Sequence, residues 1–162
     1  MIRLKPDKLV KTKYKTVDFL LLEHICNILF TSYKTNKRNY TINIKGVKGD
    51  ECCYSCGVRG RLTIKIITNL KNDSSFIKYF LHEFRHFLQD KIFRVVFDDT
   101  TYNDTTYETY INSPLEVDVK NFLDDHLNDT CKLYGKMKIY KDKLLTSRTG
   151  MDFTGFNSNT KE

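Results

Sequence analysis

The sequence predicts an α+β fold in one small domain. Three observations support this class: apolar residues at helical spacing in 17–33 and 74–96, two segments rich in β-branched residues between them, and a strong helix start near residue 113. The order helix, two strands, helix, loop, helix indicates a short antiparallel sheet beside segregated helices. At 162 residues the chain can bury a sizeable core. We expect one domain over 1–146 and a loosely ordered tail over 147–162.

The first predicted helix runs from Val17 to Tyr33, and Thr16 or Asp18 can cap its start. Two strands are predicted in YTINIKG (40–46) and GRLTIKIITNL (60–70). The intervening segment VKGDECCYSCGVRG is expected to form a loop.

The second predicted helix begins after Asp73 and extends to about Val96. At about 100° per residue, its phenylalanines and leucines fill one broad apolar arc. The pattern assigns Lys78, Arg85 and Gln89 to a solvated strip.

A polar loop, DDTTYNDTTYETYIN, separates the second helix from a third. The third helix has clear start signals, with Ser113 as the N-cap, Pro114 at the first helical position and Glu116 at the third. The later segment KLYGKMKIYKDKLL is expected to add a short strand or helix.

Composition limits the classes of function. No N-terminal segment resembles a secretion signal, no apolar run is long enough for a membrane span, and five cysteines are an odd number. We therefore expect a cytoplasmic protein with reduced thiols and no membrane partner. The net charge of +7 permits a nucleic-acid partner, although no nucleic-acid-binding motif accompanies it.

The most specific signal is HEFRH, which has the form H-E-x-x-H. On a helix, His82 and His86 project from the same side and can bind one zinc ion. Glu83 is offset by about 100° and can hold a water for catalysis. These three residues fall together outside the apolar arc. Residues that could complete the zinc site are Glu108, Glu116, Asp118 and His126.

The motif HEFRHFLQ, followed about thirty residues later by YINSPLEVDVKNF, resembles the minigluzincins. These are small zinc peptidases related to the ImmA/IrrE type, and phage-encoded metallopeptidases have a similar pattern. The resemblance spans about Tyr40–Leu127 and implies a zincin-like fold with Glu116 as the third zinc ligand. Val119 stands where the family has alanine, and Phe122 keeps the expected aromatic residue.

Glu116 also has a second interpretation, because S-x-x-E from Ser113 is a capping box that needs no metal. Asp118 lies about 200° away on the helix and is expected to accept a hydrogen bond from a histidine or to be a surface charge. His126 is expected at the surface.

Other residues have alternative interpretations. Cys53 and Cys56 form C-x-x-C beside Cys52, which indicates free thiols, a redox pair or part of a second metal site. Tyr107 or Tyr110 can pack in the loop or stabilise an oxyanion, and we assign Tyr110 to the site.

The sequence and the resemblance together predict a zinc peptidase in which Glu83 acts as general base. In the proteins that this chain resembles, an edge strand binds the substrate backbone, which would place a peptide along Arg61–Asn69. Two alternatives remain: a phage or mobile-element accessory protein with a non-catalytic zinc site, and a basic protein associated with nucleic acid.

Overall fold

The computed structural model describes residues 1–33, 38–49, 51–57, 60–94 and 107–149, which form a mixed α+β structure. The strands are β1 (Ile2–Pro6), β2 (Tyr40–Val47), β3 (Cys53–Gly57) and β4 (Arg61–Ile67). The helices are α1 (Lys8–Lys13), α2 (Phe19–Ser32), α3 (Asp73–Lys91), α4 (Tyr107–Ile111) and α5 (Pro114–Thr149). The predicted α+β class is confirmed.

The sheet has the strand order β1-β2-β4-β3 and is mixed, so the prediction of an antiparallel sheet is wrong. Strands β1, β2 and β4 are parallel, and only β3 is antiparallel to its neighbour. The reason is that β3 lies in the segment predicted as a loop and reverses the chain direction. Strand β4 then enters between β2 and β3, parallel to β2.

The predicted N-terminal helix is α2, but β1 and α1 precede it. Asp18 caps α2 by accepting hydrogen bonds from the backbone amides of Leu20 and Leu21, both at 3.1 Å. Asn72, rather than the predicted Asp73, caps α3 through the amide of Ser75 at 2.8 Å. The Asp73 carboxylate instead accepts hydrogen bonds from Thr16 and Lys138.

The segment KLYGKMKIYKDKLL, predicted as a separate short strand or helix, forms part of the second half of α5. Helix α5 continues to Thr149 and so includes the first three residues of the predicted tail, and 150–162 lie outside the described residues. Part of the predicted polar loop forms α4, and its residues 98–106 also lie outside the described part of the chain.

The core lies between one face of the sheet and the helices α2 and α3. Every second strand residue projects into it, as the fully buried Ile42, Ile44, Ile64 and Ile66 show. Helix α3 contributes stacked phenylalanines, with 6.0 Å between the ring centroids of Phe80 and its neighbour one turn later. This packing fixes the rotation of α3 about its axis. It therefore also fixes the direction of the side chains on the opposite side of the helix.

The far half of α5 is attached to the starts of α2 and α3. The hydroxyl of Tyr134 accepts a hydrogen bond from the backbone amide of Asp18 at 2.7 Å, and Lys141 pairs with the Asp18 carboxylate. Lys138 Nζ lies 2.8 Å from Asp73 Oδ2. These contacts position α5 across the helical layer.

Within the described residues, no helix combines the length and the apolar character needed to cross a membrane.

Candidate metal centre

Helix α3 presents the H-E-x-x-H motif on the side that faces α5. The ring centroids of His82 and His86 are 5.0 Å apart, as expected for residues one turn apart. The His82 side chain is 31% exposed, whereas that of His86 is 11% exposed. One imidazole therefore borders solvent and the other lies inside the structure.

The start of α5 brings Glu116 to both imidazoles. His86 Nε2 lies 3.2 Å from Glu116 Oε1, and His82 Nε2 lies 3.4 Å from Glu116 Oε2. Ligands about 2.1 Å from a tetrahedral zinc ion are about 3.4 Å from each other, so these separations suit a shared ion. One ligand atom from each of the three residues lies within 4.8 Å of the others, and this group could hold a metal ion.

The capping interpretation of Glu116 is only half met. Its backbone amide approaches Ser113 Oγ at 3.4 Å, as an N-cap requires. The backbone amide of Ser113, however, donates to the carbonyl of Tyr110 at 3.0 Å, and the Glu116 carboxylate lies against the histidines. Backbone and side chain of Glu116 thus have separate partners, and the carboxylate is available as a ligand.

The hydrogen bonds of Glu116 support its charged form. Burial by itself raises the pKa of this carboxyl, but hydrogen bonds from His86 and from the Tyr110 side chain hold it below its usual value. Tyr110, on α4, is therefore at the centre, where it is a partner of the ligand carboxylate. The side chain of Tyr107 lies outside the described residues.

A chain of hydrogen bonds orients His86 through Nδ1, the ring nitrogen that does not face Glu116. His86 Nδ1 lies 2.8 Å from Gln89 Oε1, an oxygen that can only accept, so Nδ1 carries the proton in this contact. The Gln89 amide in turn donates to Asp118 Oδ2 at 2.7 Å and to the carbonyl of Leu115 at 3.0 Å. His86 Nε2 is therefore the nitrogen that faces Glu116; without metal it donates a hydrogen bond to that carboxylate, and a metal ion would take the place of this proton.

Asp118 is held by Arg85 in a two-pronged ion pair with both N···O distances at 2.8 Å. The guanidinium also lies 4.8 Å from the ring centroid of Phe93 and 5.0 Å from that of Phe122. The predicted solvated strip is thus wrong for Arg85, and for Gln89, which is 2% exposed, because α5 covers this side of α3. Asp118 accepts from Gln89, not directly from a histidine.

Glu83 lies beside the ligand group but is not part of it. Its Oε1 is 4.0 Å from His82 Nε2, and the residue is 4% exposed. Burial raises the pKa of Glu83 to about 7, although the charge of His86 and a hydrogen bond from the backbone amide of Tyr54 act in the opposite direction. Such a carboxyl can exchange a proton near neutral pH.

Tyr54 connects the centre to the sheet edge. It lies on β3, and its backbone amide points to Glu83, so it cannot also pair with β4. Its hydroxyl donates to Asp90 on α3 at 2.6 Å. Neither Tyr54 nor Gln89 was among the predicted site residues, although the three-residue spacing from His86 to Gln89 is a signal for a shared helix side.

The other predicted candidates lie elsewhere. Glu108 is exposed on α4, and His126 packs its ring 4.8 Å from that of Phe122 on α5. In the described part of the chain, the only cluster with metal-binding geometry is that of His82, His86 and Glu116.

The C-x-x-C segment is part of strand β3. Cys53 and Cys56 are three residues apart on an extended chain, so they project from opposite faces and are about 10 Å apart along the strand. Cys56 Sγ lies 3.2 Å from Lys91 Nζ, and all cysteines are free. This arrangement excludes a disulfide or a shared metal between Cys53 and Cys56 as placed.

We compared the chain with models of protein families, with curated proteins and with solved structures, and none of the three comparisons gives a match.

We expect wild-type protein to bind about one equivalent of zinc, and His82→Ala and Glu116→Ala to lose it, because each variant leaves only two protein ligands. Elemental analysis after dialysis measures the content. His126→Ala is the matched control and should keep full occupancy. Full occupancy in Glu116→Ala would mean that α5 does not supply the third ligand.

We expect Gln89→Leu to bind zinc about 10- to 100-fold more weakly than wild type, because His86 loses the group that fixes its tautomer and ring orientation. Competition with a chromophoric chelator measures the affinity, and circular dichroism checks that the variant is folded. An affinity equal to that of wild type would show that Gln89 does not orient the ligand.

Proposed function

We propose that this chain is a zinc-dependent peptidase. The observation that supports the proposal best is the buried Glu83 beside a separate three-ligand group. A histidine pair with a third ligand suffices to hold a metal, and a further carboxyl with a raised pKa is what hydrolysis requires. The resemblance of the two motif helices to minigluzincins points in the same direction.

Two imidazoles and one carboxylate form a ligand set that catalytic zinc commonly takes. When bound in such a set, zinc lowers the pKa of a water to about 7 and polarises a carbonyl. His82, His86 and Glu116 would hold the ion. The exposure of His82 supports an approach from solvent, as a catalytic site needs.

The remaining steps belong to Glu83 and Tyr110. A carboxylate oxygen of Glu83 takes a proton from the attacking water and later delivers it to the amine that leaves. The raised pKa of Glu83 suits both transfers at neutral pH. The Tyr110 side chain, already bonded to Glu116, can turn to donate to the oxyanion as negative charge develops.

A peptide substrate would bind at strand β3. The expected strand, Arg61–Asn69, is not an edge, since β4 pairs with β2 on one side and with β3 on the other. The free edge next to the metal centre belongs to β3, whose Tyr54 amide already points toward Glu83. Strand addition there would satisfy the backbone of an extended peptide with little selection for its side chains.

A purely structural metal is less well supported. The contacts of Arg85 and Gln89 with Asp118 already join α3 to α5 without any ion. A metal that only stabilised the fold would not need a buried carboxyl such as Glu83 beside its ligands.

We expect Glu83→Gln to keep about one equivalent of zinc and to lose at least about 100-fold in kcat, because the amide cannot accept the water proton. Hydrolysis of unstructured casein, followed by fluorescence and by mass spectrometry of the fragments, measures activity. Activity close to that of wild type in Glu83→Gln would refute its assigned role. Failure of zinc-loaded wild type to cleave any unfolded protein would favour a non-catalytic site.

Cys56 follows Tyr54 by two residues on β3, so its backbone amide should face the same edge. We expect Cys56→Pro to raise KM at least about tenfold with a smaller effect on kcat, because proline removes this amide. Cys56→Ala is the matched control, since it loses the thiol contact with Lys91 but keeps the amide. Equal KM values for the two variants would show that substrate does not pair with β3 at this position.

A further inference from the structure

The sheet face that points away from α2 and α3 bears five cationic side chains. We propose that this surface binds the sugar-phosphate backbone of a nucleic acid. Alternation along the strands sends most of their isoleucines into the core and the intervening residues, which include Ile67, to the other side. We call this surface the basic face, defined by its exposed cations Arg3, Lys5, Lys45, Arg61 and Lys65.

The strand register arranges these cations as a grid. Arg3 aligns with Thr41 on β2, and Lys5 aligns with Asn43. Lys45 aligns with Lys65 on β4. With strands about 4.8 Å apart and about 6.6 Å between alternate residues, neighbouring cations of the grid have Cα atoms about 5–10 Å apart. Flexible side chains on this spacing can contact successive phosphates of one strand.

The charge of the basic face is uniform. The four strands contain no aspartate and no glutamate. Among the described residues, none of the five cations forms an ion pair. Three lysines of the helices differ, since Lys91, Lys138 and Lys141 each pair with an aspartate. The cations of the basic face thus remain available for an external anion.

The uncharged neighbours favour phosphate over a lipid surface. Thr41 and Ser55 are exposed on the same face and offer hydroxyl donors, which together with arginine and lysine make most contacts to nucleic-acid backbones. No aromatic residue occupies a strand position that points to this side. These positions are 3, 5, 41, 43, 45, 47, 53, 55, 57, 61, 63, 65 and 67. Membrane-binding faces normally insert such residues. Without base-stacking rings, binding should depend little on sequence.

The basic face is separate from the metal centre. The centre lies on α3 and α5, on the helical side of the sheet, whereas the five cations point to the opposite side. Nucleic-acid binding by the basic face is therefore independent of the proposed peptidase activity. Nucleic-acid binding should be the same in Glu83→Gln as in wild type.

The test is fluorescence anisotropy of the full chain with a labelled 20-nucleotide oligo-dT at several salt concentrations. Five phosphate contacts on a single strand give a slope of log affinity against log salt of about −3.5. Between 50 and 200 mM salt, the affinity should therefore fall about 100-fold.

Two variants with the same change in net charge locate the binding surface. Lys45→Glu/Lys65→Glu should bind at least about tenfold more weakly, because it reverses two adjacent cations of the grid. Lys132→Glu/Lys143→Glu changes exposed lysines of α5 and should stay within about threefold of wild type. Circular dichroism and zinc content check the folding of each variant. Arg3→Gln/Lys5→Gln replaces the first variant if that one does not fold.

Several results would overturn the proposal. Equal weakening in both charge-reversal variants would show that net charge, not the basic face, attracts the oligonucleotide. Absence of binding at 50 mM salt would exclude a nucleic-acid partner of this kind. Sedimentation with phosphatidylserine vesicles but no binding of oligo-dT would assign the face to a membrane surface instead.

Discussion

The ion pair between Arg85 and Asp118 is the contact on which the geometry of the metal centre depends. It joins α3 to α5 with two hydrogen bonds of 2.8 Å, and aromatic rings partly shield it from water. Two parallel bonds fix orientation as well as distance, which a single lysine contact would not do. Because Asp118 is two residues after Glu116, fixing one also fixes where the other can reach. Gln89 contacts both Asp118 and His86, so the position of Asp118 also constrains the orientation of the His86 ring.

A carboxylate between two imidazoles can be balanced by a proton or by a metal ion. In the absence of metal, hydrogen bonds from His86 and Tyr110 keep Glu116 charged despite its burial. Burial and the neighbouring His86 lower the pKa of His82, which favours its neutral form. A neutral imidazole beside a charged carboxylate is the protonation state that a metal requires. The fold therefore positions the three ligands before any ion binds, and binding has to displace only the proton that His86 donates to Glu116. The contacts between α3 and α5 do not need the ion to form.

Sequence patterns predicted the parts of this arrangement that depend on local chemistry. Helical spacing and the start signals at Ser113 and Pro114 gave α2, α3 and the beginning of α5, and with them the pair His82 and His86. Four candidates for the third ligand remained, and the resemblance to the minigluzincins selected Glu116. Strand β3 was missed because CYSCG has no β-branched residue and its pairing partner is supplied by β4. Its absence from the prediction also caused the wrong sheet direction. The burial of Gln89 and Arg85 could not be predicted, since it depends on how α5 crosses α3.

The same missed strand determines what the two surfaces of the sheet can do. With β3 at the edge, β4 becomes an inner strand, and its residues Arg61 and Lys65 lie within a grid of cations instead of along a peptide-binding edge. The edge of β3 lies next to Glu83 of α3, and the extended backbone of a substrate could pair with β3 along this edge. Binding at the edge of β3 would thus depend on backbone groups, whereas binding at the basic face would depend on charged side chains. A substitution on the basic face can therefore change its charge without removing any backbone hydrogen bond at the edge, and the two surfaces can be tested independently.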